Sequence, residues 1–139
     1  GVANSAGRLA YGWIWDRFGF RGALAAAPMA LMAAMALCIV ADELASPAFI
    51  IGGFLLLGAS YGGSVSAGSA LTGSFFGVEC YPMNYAVVSL NILVASLVGP
   101  AATAASWDLS GSYLAAYVIL TLLALAALII GRFLRPPRD

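Results

Sequence analysis

The sequence predicts an all-α bundle of membrane-spanning helices, and two observations carry that prediction. The first is composition: 63% of the 139 residues are hydrophobic and 9% are charged, where soluble domains carry about 25% charged residues. Six Arg balance six Asp and Glu, Lys and His are absent, and the mean hydropathy is +0.98. So few charges cannot cover a soluble domain of this length. The composition also excludes a disordered chain, a coiled coil and a nucleic-acid binder, since no basic surface exists. The second observation is spacing. Uncharged windows of 20, 35, 28 and 23 residues separate Arg21 from Asp42, Glu43 from Glu79, Glu79 from Asp108, and Asp108 from Arg132. A helix rising 1.5 Å per residue needs about 20 apolar residues to cross roughly 30 Å of hydrocarbon, so each window holds one span. No β-barrel alternation is visible, and helices satisfy their own backbone in lipid.

Five spans are expected, at about 1–15, 22–41, 47–71, 83–105 and 112–132. The first is apolar but broken by Arg8, and Gly19 and Gly22 flank the turn that follows. The second is Ala, Leu and Met up to Asp42 and Glu43. Ser46 and Pro47 then offer an N-cap and a proline at the first helical position. The third span carries Ser60, Tyr61, Ser64, Ser66 and Ser69. It also has a ridge of small residues, Gly58, Gly62, Ser66 and Ala70, that permits close approach by another helix. That ridge serves packing alone, or a sliding surface with a flexible point at Tyr61, Gly62 and Gly63. Residues 72–82 read as a loop. The fourth span carries Asn84, Ser89, Asn91 and Ser96, with a kink expected at Gly99 and Pro100. Asp108, Ser110 and Ser112 open the fifth, and Pro136 and Pro137 end it. Polar groups are costly in hydrocarbon. Spans one, three and four are therefore expected to line an interior, and two and five to face lipid.

The chain begins inside a hydrophobic segment with no initiator Met, charged n-region or cleavage site, so a fragment lacking its N-terminal part is expected rather than a signal peptide. Cys38 and Cys80 are far apart with no His nearby, which indicates neither a disulfide framework nor a zinc site; both are expected as apolar filler. No cofactor or metal is expected. Arg17 and Arg21 fall in the first loop and Arg132, Arg135 and Arg138 in the tail, while 42–46 and 106–111 hold only acids. The excess of Arg marks the cytoplasmic side, so the C-terminus is expected there, in a cell membrane. The 72–82 loop, expected on the same side, carries only Glu79.

Asn4, Arg8, Gly12 and Asp16 recur every fourth residue and fall roughly along one helix face. Arg8 lies about 12 Å deeper than Asp16, near the bilayer midplane, where inserting Arg costs about 2.5–3.5 kcal/mol. No acid within any span neutralises it. Its partner is an acid on an absent helix, or an anionic ligand, whose carboxylate a bidentate guanidinium suits. Trp13, Trp15 and Trp107 near span ends read as interfacial anchors.

The run from Gly12 to Arg21, GWIWDRFGFR, resembles the G-x-x-x-D-R-x-G-R-R loop of the major facilitator superfamily, with Phe20 replacing one Arg. The preceding Asn4, Gly7, Arg8 and Gly12 resemble the eighth helix of its oxalate/formate antiporter branch and monocarboxylate-porter relatives. Tyr61, Gly62 and Gly63, then Phe76 and Gly77, Asn84 and Tyr85, and Gly99 and Pro100 resemble that branch in helices ten and eleven. The resemblance implies helices eight to twelve of a twelve-helix carrier that rocks two halves about a midplane site. It implies that Arg8, with Asn4, Asn91 and Tyr61, binds a small organic anion, and that Gly12, Asp16, Arg17, Gly19 and Arg21 form a gating motif. Asn91 stands about where oxalate-type members carry a Lys, which favours a monocarboxylate. Asn4 stands where monocarboxylate porters often have Asp, which leaves proton coupling there without its carboxylate.

The expected activity is secondary active transport of that anion, with the lipid bilayer and a missing N-terminal half as partners. The alternatives are a carrier of another solute and a non-transporting membrane subunit. An intramembrane hydrolase would need a base beside Ser64 or Ser66, and the sequence has no His; no enzyme is expected.

Overall fold

The computed structural model describes residues 1–134, and among these it contains four α-helices and no strand: α1 (Val2–Leu44), α2 (Pro47–Phe76), α3 (Tyr81–Ser110) and α4 (Leu114–Phe133). Each is long and apolar enough to cross a membrane, as an integral membrane protein requires. Arg135, Pro136, Pro137 and Arg138 lie outside the described residues. Two compact units divide the chain: Gly1–Ala67 with the chain from Tyr117 onward, and Gly68–Ala116.

Helix α1 is two helical stretches joined across a kink. Its 43 residues would reach roughly 65 Å if straight, more than twice the hydrocarbon thickness. Gly19 interrupts it with φ 67° and ψ −166°, a region essentially restricted to glycine. Contacts with α2 fix what the interruption does. Ala3 and Asn4 abut Gly58, Gly7 abuts Ala59 and the Tyr11 ring abuts Gly63, so along this face the numbers rise together, with Asn4 also against Gly62. Beyond Gly19 they run oppositely: the Ser60 hydroxyl donates to the Ala27 carbonyl at 3.1 Å, and Cys38 Sγ faces Gly53. Residues 2–18 therefore run broadly parallel to α2 and residues 20–44 antiparallel to it, and the chain reverses at one glycine. The loop expected between the first two spans shrinks to that residue, because a conformation open to glycine turns the chain without unwinding the flanking helices.

The core of the first unit is built of small side chains. Ala23, Ala34, Ala41, Ala67 and Ala124 are buried with Met35, Cys38, Tyr11 and Ser60. Helix α4 joins on the second rod: Gly131 lies against Leu24, and residues 120–127 share a groove with Ala27, Pro28 and Leu31, an antiparallel pairing. The stretch 22–41, expected to face lipid, contributes five buried residues, Ala23, Ala34, Met35, Cys38 and Ala41. Polarity does not forecast burial in α3, which has no buried residue. The physical reason is that hydroxyls satisfy themselves. Ser64 donates to the Ser60 carbonyl, Thr72 to Gly68, Ser74 to Ala70, Thr103 to Gly99 and Thr121 to Tyr117, each one turn back at 2.8–2.9 Å. A hydroxyl so bonded needs no polar interior. Alanine and glycine, by contrast, let helix backbones approach closely.

The turns are short. Ala45 closes α1 in the left-handed conformation (φ 46°), its N–H donating to the Ala41 carbonyl, and the Ser46 carbonyl then accepts from the Ile50 N–H at 3.4 Å. The expected loop at 72–82 contracts to residues 77–80: α2 runs on to Phe76, and Gly77 (φ 72°) terminates it with a 3.0 Å bond to the Gly73 carbonyl. Helix α3 starts with Pro82 in its first turn and continues past Gly99 and Pro100 to Ser110. Gly111 (φ 65°) ends it, bonding the Trp107 carbonyl at 2.7 Å, and Ser112 Oγ accepts from the Leu114 N–H at 3.1 Å to start α4. Cys80 is exposed at the head of α3 rather than filling apolar space.

Candidate functional site

The site is built on the crossing of residues 2–18 with α2. Gly62 has the Asn4 backbone against it and Gly7 the Ala59 backbone, so two helix backbones touch with no side chain between them. Ala3, Asn4, Gly7 and Tyr11 are the first rod's contact residues there, at the three-to-four spacing of one helix face. Of the expected ridge on α2, Gly58 and Gly62 lie in this crossing with Gly63, and their role there is close packing.

Arg8 is one position off that face, about 100° around the helix from Gly7. It is exposed on the chain, and its Nε donates to Asn4 Oδ1 at 3.1 Å. That is its one hydrogen bond among the described residues, and no acid there pairs with it. Guanidinium has five N–H donors, so the Asn4 bond occupies the Nε edge and leaves the terminal nitrogens open. Gly12 and Asp16 continue the Arg8 stripe, both exposed, and a Cβ on Gly12 would meet nothing within 4 Å. The expected alignment is therefore present as a stripe, with no described residue within 4 Å of a Cβ at Gly12.

The remaining expected residues are placed less closely. Tyr61 follows Ser60 on α2 and is 52% exposed. Asn91 lies exposed on α3, in the second unit. Arg17 sits 5.8 Å over the Trp13 ring, a cation–π distance; Trp13 meets Phe18 edge-on at 5.9 Å, and Trp15 meets Phe20 at 6.3 Å. These aromatic contacts clasp the residues around Gly19. Arg21 opens the second rod, exposed. Among the described residues no group of three or more Cys, Asp or Glu converges as a metal site would need.

Sequence reasoning passed over Tyr11. Its side chain is 5% exposed and its hydroxyl, buried three residues from Arg8, has no hydrogen-bond partner among the described residues. A buried unpaired polar group costs about 1–3 kcal/mol. The available signal was the i, i+4, i+7 relation of Asn4, Arg8 and Tyr11. The Ser60 bond to the Ala27 carbonyl was also out of reach, because it joins residues 33 apart. No protein family, curated protein or solved structure matches the chain.

Proposed function

We propose that this chain forms part of the C-terminal half of a major facilitator-type carrier, and that it moves a small organic anion across a cell membrane by alternating access, with Arg8 receiving the carboxylate. The observation that carries the reading is the state of Arg8: a cation in the middle of an apolar helix, held by neutral Asn4 and unpaired with any acid among the described residues. Such a charge is costly in hydrocarbon and marks functional sites by default. The Asn4 bond orients the guanidinium and leaves its terminal edge for a bidentate carboxylate. The uncovered stripe at Arg8, Gly12 and Asp16 is where the other half of the carrier would complete a cavity. Asn91 and Tyr61 are the further polar groups that the resemblance assigns to substrate, and the C-terminus would lie in the cytoplasm.

The crossing at Gly7 and Gly62 supports a rigid element that moves as one body, and Gly19 with its aromatic clasp supports the gating role of Asp16, Arg17 and Arg21. Exchange suits this chemistry better than net flux. An empty return would occlude a bare guanidinium, whereas a bound anion neutralises it on each crossing. The test is uptake into proteoliposomes containing the complete carrier, with labelled formate, lactate and oxalate set against their neutral amides. Saturable uptake confined to the anions supports the proposal. Uptake of amides at the same rate refutes it.

A further inference from the structure

Arg21 and Arg132 meet at one cavity. It has a volume of about 400 Å³ between the start of the second rod and the end of α4, and it is otherwise lined by Gly22, Leu24, Ala25, Met29, Leu128 and Gly131. The two arginines are 111 positions apart in sequence (132 − 21) and belong to the same unit. Among the described residues neither has an ion-pair or hydrogen-bond partner and no acid lines the cavity. Two guanidiniums sharing one cavity repel each other, and an anion between them converts that repulsion into two charge-assisted contacts. The rest of the wall is apolar.

We propose that this cavity is a binding site for one anionic glycerophospholipid, with its phosphate between Arg21 and Arg132 and an acyl chain laid along Leu24, Met29 and Leu128. The size fits the headgroup end alone. Small-ligand sites run roughly 300–1,000 Å³, and about 400 Å³ holds a phosphate and glycerol while the acyl chains run out along the helices. Charge fits as well, because basic pockets between transmembrane helices select anionic headgroups. A zwitterionic lipid brings a choline or ethanolamine cation toward the same two arginines. A free phosphate makes the ionic contacts but leaves Leu24, Met29 and Leu128 uncovered. The inference rests on the membrane reading of α1 and α4 and is independent of what the carrier moves.

The full chain, purified in mild detergent, is offered phosphatidylglycerol or phosphatidylcholine of matched chains, and retained lipid is counted by native mass spectrometry. Phosphatidylglycerol is expected to be retained about 25-fold better, and Arg21→Gln and Arg132→Gln are each expected to remove about fivefold, the effect of about 1 kcal/mol per arginine. Arg17→Gln is expected to change nothing, because Arg17 does not line the cavity and only a diffuse basic surface would sense it. Leu128→Trp keeps both charges, fills the cavity and is expected to lower retention, so the site stays testable if an arginine variant fails to fold. Equal retention of the two lipids overturns the proposal, as does an equal loss in Arg17→Gln. Displacement of the lipid by millimolar inorganic phosphate also overturns it, by marking a free-anion site. Uptake of the cargo plays no part in this readout, so its failure and that of the transport reading are separable.

Discussion

Adding one methyl group at Gly62 should do more damage than its size suggests. A Cβ there would overlap the Asn4 carbonyl oxygen and stand 2.9 Å from the carbonyl carbon and 3.1 Å from Cα. Carbon contacts are comfortable at about 3.5–4.0 Å, so the first rod must retreat by close to 1 Å. The obstacle is backbone, and no side chain can rotate away from it. Overpacking of this kind costs about 1–3 kcal/mol. Asn4 also holds Arg8, so the guanidinium moves with it, and a 1 Å displacement at a reacting or binding centre costs up to about 10²-fold. Gly68→Ala is the matched control on the same helix: its Cβ would meet nothing within 4 Å, and the change adds about 0.5–1 kcal/mol of helix preference. The assay is thermal unfolding in detergent, followed by size-exclusion fluorescence, alongside uptake by the proposed carrier. Gly62→Ala should melt earlier and transport poorly, and Gly68→Ala should do neither. Equal behaviour of the two variants would refute the close crossing of residues 2–18 with α2.

Other outcomes follow from single residues. Gly19→Ala forces a side chain into φ 67°, ψ −166° and should cost about 1–3 kcal/mol, read as a lower melting temperature; an unchanged transition would remove the reversal from Gly19. Ala45→Gly relieves a left-handed alanine at φ 46° and should stabilise by about 1 kcal/mol, measured in the same assay. Tyr11→Phe removes a buried hydroxyl that has no partner among the described residues, so stability should hold or rise by about 1 kcal/mol; a clear drop would mean that the hydroxyl is bonded in the folded protein. Anion exchange should outrun efflux into anion-free buffer by up to roughly 70-fold, the equivalent of about 2.5 kcal/mol for occluding a bare guanidinium. Equal rates would count against Arg8 as the cargo's counterion.

The helices were legible because charge spacing and hydrophobic length are local properties. Ser112 was legible as the start of α4, where its Oγ accepts from the Leu114 N–H, whereas Pro82, read as loop, lies in the first turn of α3, and Asp108 and Ser110, read as opening the last helix, lie in the last turn of α3. The sharpness of the turns was not legible, since a glycine at φ 67° and a broader loop leave the same composition around residue 19. Polarity misled about burial for a definable reason. A serine such as Ser64 can bond its own helix, so its presence does not demand an interior, whereas Arg8 has no such local escape and Asn4 offers it one hydrogen bond. Alanine misled in the opposite direction. Ala23, Ala34 and Ala41 look featureless in sequence, yet they are where the helices close on one another. Tyr11 and the meeting of Arg21 with Arg132 depend on which helices adjoin, and periodicity within one segment carries no record of that.

Arg8 gives the most direct test. Uptake of a labelled carboxylate by the complete carrier should vanish in both Arg8→Ala and Arg8→Lys at normal expression, since a lysine supplies charge without the two-pronged contact. Undiminished uptake in Arg8→Ala would contradict a carboxylate held by that guanidinium.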